Sequence, residues 1–192
     1  MMRGKGIALA FLFAGAVACG CATSGATAAT DLDGVQCEPL QVPEGRIHVL
    51  VVTNHECPIA NSYAPTLRAL AEAWRSLPVD LFLVHVDPDI TVAAARAHAA
   101  AYELPGHVLL DPRQRIAAAV GATRTPEAVV LNRSGVLYRG RIDDQWRALG
   151  ERLPAPTVDD LRAAVAAALK GEPVARPFMP ATGCLLPALP RD

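Results

Sequence analysis

Cys57 opens the segment Cys57-Pro58-Ile59-Ala60-Asn61 a few residues after the apolar run from Ile47 to Val52. A run of β-branched and large apolar residues reads as a strand, and Pro58 suits the first turn of a helix. A thiol carried by a strand to a helix start meets free backbone N–H groups and the positive end of the helix dipole, both of which favour thiolate. That is the chemistry of a redox-active cysteine. His55 and Glu56 flank it with opposite effects, because a protonated imidazole stabilises a thiolate and a carboxylate opposes it. Far downstream stand Arg124-Thr125-Pro126 and Thr182-Gly183-Cys184-Leu185.

The elements that must position these groups can be read from pattern. Strands are expected over Arg46–Thr53, Val79–Val86, His107–Leu110, Ala128–Leu131 and Val136–Arg141. A helix is expected from Ile59 to Leu77, with Leu67, Leu70, Ala71 and Trp74 at helical spacing and Pro65 forcing a kink or restart. Thr91 should cap a second helix reaching about Tyr102. Pro112 should sit in the first turn of a third ending near Gly121, and Thr157 should cap a last one to about Leu169, with Asp159 and Asp160 in its first turn. Asn132-Arg133-Ser134-Gly135 reads as a hairpin turn. The order β-α-β-α-β-α-β-β-α gives an α/β sandwich with a mixed central sheet, flanking helices and a C-terminal hairpin and helix. The tail from Gly171 is proline-rich and is expected to be irregular.

Taken together, Cys57-Pro58 at a helix start, Gly121-Ala122-Thr123-Arg124-Thr125-Pro126 leading into Ala128-Val129-Val130-Leu131, and the Gly135 hairpin resemble the thioredoxin superfamily. More narrowly the chain resembles its exported redoxin branch, which includes alkyl hydroperoxide reductase and thiol-specific antioxidant proteins. The resemblance spans about Gln41 to Leu169. It implies a thioredoxin-like fold, a cis bond before Pro126, and a substrate-binding surface formed by Pro58, Asn61, Arg124, Thr125 and Pro126. It implies no cofactor and no resident metal. Its electron donor would be a protein thiol or disulfide partner, or a small thiol.

The departures from the family pattern matter as much. A dithiol oxidoreductase carries Cys-x-x-Cys, whereas the fourth position here is Ala60, so a mixed disulfide on Cys57 must be released by another thiol. Cys184 is the preferred resolver, since a proline-rich tail has little packing need for a cysteine and loop-closure entropy grows slowly with length. A structural Cys37–Cys184 disulfide is the competing pairing. Peroxiredoxins place a hydroxyl residue three positions before their cysteine; Asn54 stands there, with Thr53 displaced by one. The expected function is an exported thiol-disulfide oxidoreductase or thiol peroxidase-like redoxin with Cys57 as nucleophile, acting on protein disulfides or peroxides; two further functions stay open, a copper- or metal-handling protein of this fold using Cys57, Cys184 and His55, and a redox-inert binding module. His48 is expected on the core or sheet face, Glu127 equally as a solvated strand-start residue or a site residue, Asn61 and Tyr63 along the cleft or as helix covers. Arg139, Arg141, Asp143 and Asp144 are expected as a solvated polar face, with Arg141 and Asp143 at the cleft rim as the alternative.

Composition bounds the rest. Eighteen Lys and Arg against nineteen Asp and Glu give a formal charge of -1, which argues against a nucleic-acid partner. Residues 1–28 read as an export leader: Met1 to Lys5 is basic, Ile7 to Ala18 is apolar, and small residues follow. The apolar stretch is shorter than the roughly 20 residues a bilayer requires. Ala16-Val17-Ala18-Cys19 resembles a lipoprotein box, implying membrane attachment through lipidated Cys19. Ala26-Thr27-Ala28 suits ordinary signal peptidase. The expected destination is the periplasm, or the outer membrane or cell surface as a lipoprotein. Residues 29–170 make one domain, and 171–192 a tail bearing Cys184.

Overall fold

The computed structural model describes residues 25–190. The apolar stretch expected to belong to an export leader, and Cys19, lie outside them. In chain order the elements are β1 (Ala29–Asp31), β2 (Gln36–Cys37), β3 (Ile47–Thr53), α1 (Pro58–Ser62), α2 (Ala64–Trp74), β4 (Val79–His85), α3 (Val92–Ala101), β5 (His107–Leu110), α4 (Arg115–Ala119) and β6 (Arg124–Thr125). There follow β7 (Glu127–Asn132), β8 (Gly135–Gly140), β9 (Trp146–Ala148), β10 (Glu151–Arg152), α5 (Asp160–Lys170), β11 (Phe178–Met179) and β12 (Cys184–Leu185). Among the described residues no helix is long and apolar enough to cross a membrane.

One mixed sheet runs in the order β11-β8-β7-β3-β4-β5-β1-β2. Every residue of β3 is buried, as befits a strand covered on both faces. It pairs parallel with β4 and antiparallel with β7. Alternate residues feed two cores. Val49, Val51, Leu81, Leu83 and Val130 pack with Leu67, Leu70 and Trp74 of α2 and Leu161 and Val165 of α5. Leu50, Val52, Val84 and Val129 face Ile116 and Ala117 of α4. The α/β sandwich with helices on both sides of a mixed sheet is the architecture expected from pattern.

Four expectations need correction. Helix α4 starts at Arg115 and not at Pro112, because the buried Asp111 carboxylate accepts the N–H groups of Arg115, Ile116 and Ala117, at 2.8, 2.9 and 3.0 Å. Burial raises the Asp111 pKa against those same hydrogen bonds. Thr157 does not cap α5; its N–H and hydroxyl are both held by Asp144, and the helix begins at Asp160. The polar letters after β8 are not a solvated face. Asp143 is 1 % exposed and Asp144 is buried, while Arg141 reaches Asp160 at 2.6 Å. Nor is the tail irregular throughout: β11 extends the sheet parallel to β8, and β12 pairs antiparallel with β6.

Candidate functional site

The site forms where the end of β3, the start of α1, the loop around β6 and the tail strand β12 meet. Cys57 is the N-cap of α1, with Pro58 in the first turn, and its sulfur accepts the Ala60 N–H at 3.5 Å. The loop before it is braced from several sides. The Asn54 carboxamide oxygen accepts the Glu56 N–H at 2.7 Å, and Asn61 Nδ2 donates to the His55 carbonyl at 2.9 Å. Asn61 Oδ1 in turn lies 2.8 Å from His98 Nε2. Asn61 therefore holds the cysteine loop in place from within. Tyr63 is buried, donating to Asp143 Oδ1 at 2.6 Å.

The Thr125–Pro126 peptide is cis. Its loop is fixed by Glu127, which is 3 % exposed and accepts the N–H groups of Thr123 and Arg124 at 2.8 and 3.2 Å. Of the two readings open for Glu127, the solvated strand start is therefore wrong; the side chain is a loop brace, paired with Arg139 at 3.4 Å. Thr125 presents its carbonyl to Cys57, whose thiol donates to it at 3.1 Å.

The tail completes the constellation. Cys184 is the register partner of Thr125, and the two sulfurs, Cys57 Sγ and Cys184 Sγ, stand 2.8 Å apart. Cys37, Cys57 and Cys184 are all free thiols. Cys37 belongs to β2 at the opposite sheet edge, its thiol directed at the Val35 carbonyl at 3.8 Å. Several polar contacts seat the tail. Arg124 Nη1 donates to the Gly183 carbonyl at 3.2 Å, Leu186 N–H to the Thr123 carbonyl at 3.3 Å, and Gln114 Nε2 to the Pro187 carbonyl at 2.8 Å. Arg124 thus holds the tail. Gly183 is required there, since a Cβ at that position would lie 2.1 Å from the Thr125 carbonyl oxygen.

These contacts split the two thiols electrostatically. Burial works to raise the Cys57 pKa, but hydrogen bonds from Cys184, Thr125 and the Ala60 N–H outweigh it, and the net shift is downward. The sequence neighbours His55 and Glu56 are not among those causes. Cys184 moves the other way, pushed up to about 11 by burial and by the adjoining Cys57 sulfur. One thiol is prepared to ionise and its neighbour to keep its proton.

Beside the thiols lies a polar cluster that sequence order gives no hint of. His55 Nδ1 sits 2.7 Å from Asp87 Oδ1, and His85 Nδ1 lies 3.2 Å from Asp87 Oδ2. The ring of His98 packs edge-on against His85 at 5.1 Å. Asp87 keeps a depressed pKa despite burial, through its hydrogen bonds from His85 and His55. His98 is driven down to about 4 by burial and by the neighbouring imidazoles. A cleft lined by His55, Asp87, Asp89, Thr91 and Pro187 opens over this cluster.

Comparison with known proteins places this geometry. The family model for redoxins matches residues 21–169. No curated protein is similar enough to match. Among solved structures, an uncharacterized conserved protein from Geobacillus kaustophilus is 25 % identical with a TM-score of 0.72, over 86 % of this chain and 89 % of that one. A hypothetical protein from Sinorhizobium meliloti is 23 % identical with a TM-score of 0.72, over 83 % and 88 %. A secreted disulfide oxidoreductase of Mycobacterium tuberculosis, homologous to E. coli DsbE, is 24 % identical with a TM-score of 0.54, over 73 % and 94 %. The central sheet and flanking helices are the thioredoxin-like fold.

Proposed function

Because the chain belongs to the redoxin family, we propose that it is an exported thiol-disulfide oxidoreductase with Cys57 as nucleophile and Cys184 as resolving thiol. The single observation that carries this reading is the 2.8 Å approach of the two sulfurs across the β6–β12 pair. The Cys57 thiolate attacks one sulfur of a partner disulfide, forming a mixed disulfide and expelling the other partner sulfur as thiolate. That leaving thiolate, or water, takes the Cys184 proton. The Cys184 thiolate then attacks Cys57 Sγ, releasing the partner thiolate and closing Cys57–Cys184. Two electrons from a small thiol or a protein dithiol restore the pair.

A division of pKa values supports these roles, since the attacking group is the one held low and the resolver the one held high. Cys57 is only 2 % exposed, so the tail must lift for a protein disulfide to reach it. Peroxide reduction is disfavoured by Asn54, whose side chain stands at the family's hydroxyl position and is engaged by the Glu56 N–H. Export rests on the basic and apolar pattern of residues 1–28; an oxidising compartment outside the cytosol is one in which two thiols can pair as a disulfide.

Intact-mass analysis after stoichiometric oxidised glutathione tests the reading. The expected product has lost two hydrogens and carries no glutathione, while Cys184→Ser stops at a glutathione adduct on Cys57. An unchanged mass, or a stable adduct on the unmodified chain, would contradict it.

A further inference from the structure

Asp143 is buried, and one of its carboxylate oxygens, Oδ2, has no hydrogen-bond partner. Among the described residues no cation pairs with it, since Arg141 beside it is turned to Asp160 at 2.6 Å. A buried carboxyl so poorly served is costly unless its other oxygen does something that an apolar side chain would not. Oδ1 holds the end of α1: it accepts the Tyr63 hydroxyl at 2.6 Å and the Gln145 N–H at 2.9 Å. Tyr63 is the C-cap of that helix, and Cys57 is its N-cap. Ser62, the last residue of α1, is fixed from the same segment, with Trp146 Nε1 donating to its hydroxyl at 3.1 Å. We propose that Asp143 is a positioning residue for Cys57, pinning the closing end of α1 through Tyr63 and so setting the sulfur at the opening end against Cys184. This rests on the reading of Cys57 and Cys184 as a reacting pair.

A helix of five residues is barely more than one turn, so a shift at its last residue is not absorbed before its first. Asn61 N–H bonds the Cys57 carbonyl at 3.0 Å, and Tyr63 N–H bonds the Ala60 carbonyl at 3.0 Å, which ties the two ends together. The Tyr63 ring and Cys57 also share one buried core cluster. At the opening end the sulfur lies 3.1 Å from the Thr125 carbonyl and 2.8 Å from Cys184 Sγ, distances that a displacement of about 1 Å would spoil. Charge at position 143 is not what the clamp uses. Burial, joined by the like charges of Asp159 and Asp144, raises the Asp143 pKa against the hydrogen bonds from Tyr63 and Gln145. A neutral carboxyl still offers Oδ1 to both donors, and the amide oxygen of an asparagine would do the same.

The test is the equilibrium of the full-length protein with glutathione, in which one oxidised glutathione takes two hydrogens from the Cys57–Cys184 pair and becomes two reduced molecules. Acid quenching, thiol trapping and peptide mass read the fraction closed, and urea titration of each variant is run beside it. Tyr63→Phe and Asp143→Ala should each shift the equilibrium towards the open dithiol by about tenfold. Asp143→Asn should stay within about twofold of the unmodified protein. The two disruptive changes combined should shift it no further than either alone, because both cut the same link. Tyr63→Phe removes a single hydroxyl, and it carries the test by itself if Asp143→Ala does not fold. An unmodified equilibrium in Tyr63→Phe, whatever its urea midpoint, overturns the proposal, as does an Asn variant displaced as far as Ala. Failure of the functional reading looks different: the unmodified protein would then form no Cys57–Cys184 bond at any ratio of oxidised to reduced glutathione.

Discussion

Cys57, Cys184 and Cys37 differ in surroundings, and the difference should be measurable thiol by thiol. Hydrogen bonding holds Cys57 low against burial, whereas burial raises Cys37 with help from Asp31, and Cys184 is pushed up to about 11. Alkylation of the reduced protein at rising pH should therefore reach its midpoint at Cys57 first; an earlier midpoint at Cys184 would reverse the assigned roles. His98 gives a second prediction. Its pKa falls from the usual 6.5 to about 4, so the folded state stays neutral where the unfolded chain binds a proton. That stabilisation is complete above pH 6.5 and is lost as pH drops towards 4. His98→Gln should accordingly lose less stability than the unmodified protein between pH 7 and 4.5, by roughly 2 kcal/mol in urea titrations; parallel losses would refute it. At this scale the sequence was readable where residue type fixes a position: Cys57 stands at a helix start, the Thr125–Pro126 bond beside it is cis, and Cys184 meets Cys57. It was opaque where burial decides the role. Glu127 and Asp143 look like surface letters, and only their folded environments, 3 % and 1 % exposed, make them a loop brace and the buried partner of Tyr63.

Among the elements, the tail strand β12 is the one on which the proposed chemistry turns. It is two residues long, paired with the equally short β6, so no periodicity announced either of them. The long strands behaved otherwise: β3, β4 and β7 lie within a residue or so of their expected bounds because continuous apolar runs mark strands buried on both faces. The Pro65 restart is present as the break between α1 and α2, and Thr91 caps α3 by accepting the Ala94 N–H at 3.1 Å. The start of helix α4 is not legible in the pattern because a carboxylate outside the helix, Asp111, sets it. For β12 the decisive contact is at Gly183, where a Cβ would meet the Thr125 carbonyl at 2.1 Å. Gly183→Ala should lift the strand and slow closure of the Cys57–Cys184 bond by at least about tenfold, while the main cores, remote from the change, keep the urea midpoint nearly unchanged. Quenched-flow trapping of free thiols after oxidised glutathione would show it. Closure at the unmodified rate would mean that the β6–β12 pair does not present Cys184.

For the whole molecule, the fold class followed from the order of strands and helices, and redoxin membership from the cysteine, the Thr125-Pro126 loop and the hairpin in sequence. What pattern left open was which pair of sulfurs meets, because 127 residues separate Cys57 from Cys184 and sequence alone cannot measure a gap that the chain's return path closes. Joining them would restrict a long loop of the unfolded chain. The oxidised protein should resist urea more than the reduced one, by about 2–4 kcal/mol; equal stability would indicate that no long-range bond forms. The proposed cycle requires that bond. Peptide mapping of the protein after oxidation, without reduction, should yield a single linked pair joining the peptide of Cys57 to that of Cys184, with Cys37 free. A Cys37–Cys184 link, or a free Cys184 beside a Cys57 held as sulfenic acid or glutathione adduct, would contradict it.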